Sequence, residues 1–208
     1  MNDDARLDFP ATHRNRDAIL EVLGPLLPPR GTVLEVASGS GQHLVYFAAK
    51  LAESHPDLRW IPSDPDPEHR ESVRAWASHE PSANVGAPLD LDAASASWPI
   101  DHADALYCAN MIHIAPWAAC EGLIRGAARI LGPGAPLVLY GPFMRDGEHT
   151  SPSNAAFSER LKGRNPDWGV RDLDKVSSLA AHAGFDPPTV TPMPANNLTV
   201  LLRRSGQR

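Results

Sequence analysis

The sequence predicts an α/β fold, a mostly parallel sheet covered by helices on both faces and closed by an antiparallel hairpin. Three observations carry this. Short apolar runs alternate with helix-periodic segments about five times, and such alternation requires crossover connections between parallel strands. One junction, Thr32-Val33-Leu34-Glu35-Val36-Ala37-Ser38-Gly39-Ser40-Gly41, passes from strand through a turn of small residues straight into a helical pattern. Near the C-terminus, two β-rich runs flank Pro194-Ala195-Asn196-Asn197, whose composition suits a tight turn between antiparallel neighbours.

Taken in order, residues 15–27 carry Ile19, Leu20, Val22, Leu23, Leu26 and Leu27 at helical spacing. Gly24-Pro25 is expected to kink or end that helix, because proline has no amide hydrogen. Residues 32–36 are the first strand. The helix after the turn, 42–52, buries Leu44, Val45, Phe47, Ala48 and Leu51. A second strand over 58–61 closes at Ser63-Asp64, and Asp66-Pro67-Glu68 supplies the N-cap, first-turn proline and first-turn acid of a helix over 67–78. Residues 85–89 form a third strand ending at Asp90, and 104–110 a fourth, followed by a loop over 111–115. A helix over 116–131 stops at Gly132-Pro133-Gly134, before a fifth strand over 135–140. A loop over 141–153 leads to helices over 154–162 and 172–183, the latter ended by Gly184. Strands over 189–193 and 198–202 make the sheet seven-stranded. One domain, 1–208, is expected, with an elaboration at 143–171.

The totals narrow the function. At 208 residues, 42% apolar and 21% charged, the chain has an ordinary globular composition and can bury one sizeable core. A net charge of -6 and a pI near 5.8 argue against nucleic acid as a partner. No uncharged apolar run is long enough to span a bilayer, and Met1-Asn2-Asp3-Asp4 lacks the apolar core of a signal segment. Cys108 and Cys120 are the only cysteines, without metal-ligand spacing, so a reduced, cytoplasmic setting is expected and no membrane association. Nine histidines include no pair with convincing metal spacing, and no metal is expected.

In open parallel sheets the ligand lies beyond the carboxyl ends of the strands, where strand order reverses. Those ends carry Glu35, Asp64, Asp90, Asn110 and Tyr140-Gly141, and the hairpin turn falls on the same edge. Glycines in the first turn let backbone approach a ligand closely. Glu35 adds a negative charge there, which suits a ligand with a cationic end better than one made only of phosphates. Two ligand classes compete. A dinucleotide fingerprint needs G-x-G-x-x-G, whereas Gly39-Ser40-Gly41-Gln42-His43-Leu44 has leucine at the third place, against a nicotinamide-dependent oxidoreductase.

The other class is S-adenosylmethionine (SAM). The stretch resembles the nucleoside-binding turn of class I SAM methyltransferases, acid-x-Gly-x-Gly-x-Gly, with Glu35, Ala37, Gly39 and Gly41 in its places. Ala37 replaces the first glycine and fits if its φ is negative. Asp64, about 20 residues past the turn, stands where an acid accepts hydrogen bonds from ribose hydroxyls. Asp90-Leu91 stands where such enzymes meet the adenine. Arg14-Asn15-Arg16, the run from Leu34 through Gln42-His43, Asn110-Met111-Ile112-His113-Ile114, Asn165-Pro166-x-Trp168-Gly169-x-Arg171-Asp172 and Met193-Pro194-Ala195-Asn196-Asn197 together resemble one family. It is the methyltransferase-like group that includes the animal protein called methyltransferase-like protein twenty-six.

The resemblance implies a Rossmann-like class I methyltransferase three-layer sandwich. It implies binding of SAM, with S-adenosylhomocysteine as product, and transfer of its methyl group to an unidentified acceptor, expected to be a small molecule. A catalytically silent SAM-binding sensor or interaction protein is the alternative. Glu35 is implied to help hold the methionine ammonium, with Ala37, Ser38, Gly39, Gly41 and His43 around the ligand and Asn110 at the fourth strand's end. Arg14 and Asn15 either cross the methionine carboxylate or simply start a solvated helix.

Methyl transfer from a sulfonium starts from an activated donor, so positioning and desolvation can supply much of the rate. An obligatory base is not expected for a soft or already deprotonated nucleophile. Candidates for steering or deprotonating the acceptor are His113, Asn110, Tyr140 and His149. Packing is the alternative for His113 and Tyr140, and a solvated loop position for His149. Asn110-Met111-Ile112-His113 lacks the paired prolines of Asn/Asp-Pro-Pro-aromatic, which disfavours amide or adenine-amino methylation. Residues 143–171 offer Phe143, Asn154, Phe157, Asn165, Trp168 and Arg171, with Asp172 just beyond, for a lid over the acceptor. The alternative is a small subdomain in which Phe157 and Trp168 fill core and Arg171 pairs with Asp172. Asn196-Asn197 supply the left-handed backbone of the hairpin turn, with an acceptor contact by Asn196 the second reading.

Overall fold

The computed structural model describes residues 5–80 and 84–206; the acidic opening, residues 1–4, lies outside them. Along the chain run α1 (Pro10–Leu23), β1 (Arg30–Val36), α2 (Gln42–Leu51), β2 (Asp57–Ser63), α3 (Pro67–His79), β3 (Ala105–Ala109), α4 (Trp117–Ile130) and β4 (Pro136–Gly141). Then come β5 (Phe143–Arg145), β6 (Glu148–His149), α5 (Pro152–Arg164), β7 (Arg171–Asp172), α6 (Leu173–His182), β8 (Thr189–Met193) and β9 (Asn197–Arg203). The main sheet has six strands in the order β2-β1-β3-β4-β9-β8, parallel from β2 to β4 and antiparallel from there. Strand order reverses at β1, whose neighbours are β2 and β3, so the first turn opens at the switch point.

The expected third strand, 85–89, is reduced to two parallel bridges on β2, Trp60 with Val85 and Ser63 with Leu89. Its flanking amides do bond, Gly86 N–H to Trp60 O at 2.7 Å and Leu89 N–H to Pro62 O at 2.9 Å. Between them Pro62 and Pro88 face the gap without an N–H to give, so no continuous ladder forms. The first helix begins at Pro10, ahead of the expected Asn15. Phe9, its N-cap, makes no side-chain cap, so no polar residue announces the start. Gly24–Leu26 then tightens into a 3-10 turn, as the Gly24-Pro25 break required.

Side chains alternate between two cores across the sheet. Val33, Trp60, Tyr107 and Val138 pack against α1 and α2. Leu34, Leu106, Leu139 and Val200 pack against α4 and α6. The second core includes Leu91, Ala93 and Trp98, from a stretch that forms no helix yet is buried against α4. Two glycines of α4 admit it. A Cβ on Gly122 would stand 2.1 Å from the Ala93 carbonyl oxygen, and one on Gly126 2.1 Å from the Trp98 ring.

The expected loop 141–153 holds a short hairpin instead, β5 and β6 turning at Asp146-Gly147, both at positive φ. With β7 it forms a second, three-stranded sheet. Ser151 caps α5 by accepting from Asn154 N–H, with Pro152 following, so this helix is longer at both ends than its expected 154–162. The last hairpin turn sits at the carboxyl edge, as expected. Its left-handed residues, though, are Ala195 (φ 57°) and Asn196 (φ 58°) rather than Asn196 and Asn197.

Candidate functional site

The turn after β1 is held to β2 by paired bonds: Ser38 N–H donates to Ser63 O at 2.8 Å, and Ser63 N–H donates to Ser38 Oγ at 3.1 Å. Three of its residues are left-handed, Ala37 at φ 59°, Gly39 at 55° and Gly41 at 86°. The negative φ expected of Ala37 is therefore not what the turn adopts. An L-residue there carries a strain of about 1–2 kcal/mol, so the turn keeps its shape because its surroundings impose it. Gly41 has a further constraint, since a Cβ would lie 2.8 Å from Val73 Cα on α3. Leu44, where a dinucleotide fold has its third glycine, is wholly buried in the core.

Glu35, the penultimate residue of β1, is 2% exposed. Its Oε2 has no hydrogen-bond partner, and burial raises its pKa to about 8 despite a hydrogen bond from Ser38 and with Asp64 adding to the rise. Two chambers meet above this edge. The more polar, about 170 Å³, is lined by Glu35, Ser38, Ser40, Thr12, Asn15, His43 and Asn110. The more apolar, about 270 Å³, is lined by Val36, Leu91, Ala93, Met111 and Ala119, with Asp64, His69 and Asp92 among its polar groups. Phe9, Ala37, Gly39, Ala109 and Ile114 belong to both and form the junction. A larger groove of about 940 Å³ between Trp117 and α6 holds none of the strand-end residues.

Asp64 is buried in the wall of the apolar chamber. Its Oδ2 accepts Gly39 N–H at 3.0 Å, and its Oδ1 accepts Asp66 N–H at 2.9 Å and faces His69 Nδ1 at 3.1 Å. Asp90 points elsewhere, to Arg70 at 3.1 Å on the exposed surface, while its neighbour Leu91 lines the apolar chamber. Arg14 is exposed on α1 and lines neither chamber, although Asn15 does.

A polar chain closes the far side of the polar chamber. His43 is within 2.8 Å of Asn15 Oδ1 and lies stacked on Phe47; burial, then the nearby Arg16, lowers its pKa to about 4, so it stays neutral and donates. Asn15 and Asn197 both hydrogen-bond the Tyr140 phenol, the latter at 3.0 Å, while burial pushes that phenol above its usual range. Asn110 is left-handed (φ 59°), donating its N–H to Tyr140 O at 2.7 Å.

His113 is fully buried and lines neither chamber. Arg171 N–H donates to its Nδ1 at 3.2 Å, which leaves the proton on an Nε2 that has no partner. Its ring meets Phe143 edge-on, and burial, with Arg171 adding, lowers its pKa to about 3. Phe143 is itself core. Arg171 does not pair with Asp172. Its guanidinium donates to Ile112 O (2.8 Å) and Ala115 O (2.7 Å), fastening the 143–171 segment to the loop after β3, and to Asp167 O (2.6 Å) within the segment itself. Asp172 instead caps α6 and accepts Gly147 N–H at 2.8 Å. Asn154 is buried, donating to Thr150 Oγ1 and Asn196 O; Phe157 and Trp168 are half-buried, and Asn196 is exposed. His149 lies on β6 opposite Met144. Phe9, Thr12 and Asp92 line the cleft without any signal in the sequence that marked them, because each arrives through chain packing, while Ser40 and Ile114 belong to the first turn and to the 110–114 motif.

Among the described residues no helix is long and apolar enough to cross a membrane, and no group of three His, Cys, Asp or Glu is placed to hold a metal ion. Several solved structures superpose on nearly the whole chain. An O-methyltransferase family protein from Burkholderia thailandensis, 20% identical, gives a TM-score of 0.73 over 92% of this chain and 59% of that one. Human N-acetylserotonin methyltransferase, solved with SAM, is 16% identical with a TM-score of 0.74, over 94% and 53%. An O-methyltransferase family 2 protein from Planctomyces limnophilus, solved with apigenin, is 20% identical with a TM-score of 0.77, over 97% and 62%. This chain thus spans 53% to 62% of the length of those three. At such identities the likeness establishes the fold, the Rossmann-like methyltransferase architecture expected from the sequence, here with six strands in its main sheet. Residues 6–204 match the model of a family described as a protein of unknown function (DUF938), and the chain belongs to that family.

Proposed function

We propose that the chain is a SAM-dependent methyltransferase acting on a small-molecule acceptor. One observation carries this reading: the buried, half-partnered carboxylate of Glu35 beside the glycine turn. A buried carboxyl of this kind is costly to ionise without a cationic partner. The methionine ammonium is such a partner, whereas the pyrophosphate of a dinucleotide brings no positive charge to it. Asn15, Ser38 and Ser40 offer polar groups for the rest of the amino-acid end. Each oxygen of Asp64 already takes backbone N–H, which fixes the carboxylate, and its remaining lone pairs suit ribose hydroxyls. Leu91, Ala93, Met111 and Ala119 give an apolar sheath for a flat base. The closer kinship with the methyltransferase-like group rests on the motifs quoted above, and a reduced, cytoplasmic setting is supported by two buried free thiols, Cys108 and Cys120.

When bound, SAM supplies a methyl group activated for in-line displacement with a neutral thioether leaving. The chain's part is to orient and to exclude water. Asn110 and Asn15 present amides at the polar chamber, and Tyr140 anchors Asn15 from behind. His43 is held neutral as a donor and His113 is sealed, so neither is set to take a proton. The nucleophile is therefore soft or arrives deprotonated.

Calorimetric titration with SAM, S-adenosylhomocysteine and NAD tests the reading. The first two bind and NAD does not; failure of both SAM and S-adenosylhomocysteine to bind overturns it. Methyl-labelled SAM incubated with fractionated metabolite extracts then identifies the acceptor. A silent SAM binder is the second reading, favoured by the burial of His113, and it prevails if binding is tight and label leaves the donor in no fraction.

A further inference from the structure

Among the described residues two large apolar side chains are exposed, Phe9 at 42% and Ile114 at 43%. Both line both chambers, at the junction. The two jaws are built differently. Ile114 stands on the loop that Arg171 fastens through the Ile112 and Ala115 carbonyls. Phe9 stands on a strap, residues 6–9, laid across α2 and α3. Leu7 N–H donates to Ser72 Oγ at 2.9 Å, and Trp76 Nε1–H donates to Leu7 O at 2.9 Å. Phe9 N–H donates to Gln42 Oε1 at 2.7 Å, and Gln42 Nε2–H donates to Asp8 Oδ1 at 2.9 Å.

The anchors of this strap lead directly into the glycine turn. Ser72 Oγ–H donates to Ser40 O at 2.7 Å, and Ser40 Oγ–H donates to Gln42 Oε1 at 2.9 Å. Gln42 is 4% exposed, so a buried amide two residues past Ser40 joins the strap to the backbone that borders both chambers. The Phe9 ring reaches that backbone itself, its Cε2 3.6 Å from where a Gly39 Cβ would stand, and meets His69, the partner of Asp64, edge-on. A half-exposed phenylalanine delivered by polar anchors to a ligand junction has one face unfilled, and a flat nucleoside supplies the missing contact.

We infer that residues 6–9 are a latched strap whose Phe9 ring covers the bound nucleoside against the fixed jaw of Ile114, with Gln42 as the positioning residue. This rests on the proposed cofactor reading. The strap retains the cofactor, so its effect falls on the rate of release more than on the rate of entry.

The test uses the full chain and S-adenosylhomocysteine. Stopped-flow dissociation is expected to speed up about tenfold in Phe9→Ala, the size set by losing roughly half a buried ring, while Phe9→Leu restores most of the slow release. Hydrogen exchange at the Leu7 and Phe9 amides in the wild-type chain is expected to slow when S-adenosylhomocysteine is added, a readout independent of any variant's folding. If S-adenosylhomocysteine binds the wild-type chain but leaves it at the same rate from Phe9→Ala, and the two amides exchange unchanged, the strap's role is overturned and the cofactor reading stands. If it does not bind the wild-type chain, both fall.

Discussion

The turn after β1 and the segment from β5 to β7 are both rich in residues that look functional, and they resolve in opposite ways. In the segment, polar groups that suggested a lid are already spent. Arg171 gives its protons to three carbonyls, Asn154 ties the hairpin turn to α5, and Asp172 caps α6. In the turn, Glu35 keeps an unpartnered oxygen and Ala37 holds a conformation an alanine resists. Satisfied groups are architecture. An unsatisfied carboxyl and strain on the wall of an open chamber, unlike the sealed Nε2 of His113, mark where a ligand can complete the bonding.

Glu35 offers the widest margin for breaking this contrast. Its pKa of about 8 in the unliganded chain means that it is mostly neutral below that pH, while an ammonium ligand needs the carboxylate. Binding then releases a proton, and S-adenosylhomocysteine affinity should rise about tenfold per pH unit up to about pH 8 and level off above it. Glu35→Gln should cost about 100-fold in affinity at pH 8 and flatten the profile. The same substitution should stabilise the unliganded chain. The raised pKa gives the folded state more bound protons than the unfolded between 4.5 and about 8, so this carboxyl's contribution is lost as pH rises across that window. Thermal melts at pH 5 and pH 8.5 check it, with the advantage of Glu35→Gln appearing only at the higher pH. A profile that is flat in the wild type would show Glu35 to be as settled as Arg171.

Arg171→Ala probes the other region. Removing three charge-assisted bonds to carbonyls should cost about 2–3 kcal/mol of stability by denaturant titration, with the polar chamber's Glu35 pH profile unchanged. A selective loss of cofactor affinity with normal stability would place this segment among the binding elements after all. The smallest effect is expected from Ala37→Gly. Relief of the left-handed strain, offset by glycine's greater freedom when unfolded, should stabilise the chain by about 0.5 kcal/mol in the same titration, without loss of S-adenosylhomocysteine affinity.

What could be read in advance was what local chemistry decides. Asp66-Pro67-Glu68 announced α3, and Asp66 does accept Glu68 N–H at 2.8 Å. The small-residue turn after Leu34-Glu35-Val36 lies at the carboxyl end of β1 as read, and two chambers open beside it. Errors came where a distant part of the chain decides. Residues 85–89 looked like a strand, but prolines on both sides of the gap interrupt the ladder. The sign of φ at Ala37 is imposed by the turn, and no property of alanine reveals it. His113 is a candidate by its place after the fourth strand and Phe143 as part of the lid segment, yet which side of the wall they occupy is set by how that segment docks. Phe9 is not legible because an isolated apolar residue at a helix start carries no pattern, and Ile114, within the 110–114 motif, is not distinguished there from its buried neighbours Met111 and Ile112.

The pair of glycines on α4 reaches further than its own helix. Neither Gly122 nor Gly126 borders the apolar chamber, but the stretch they admit includes Leu91 and Ala93, which do. A methyl group at either position would lift that stretch off the helix and move the chamber's wall inward. The size of the apolar chamber is thus controlled from the outer layer of the molecule, by two missing side chains that do not line it.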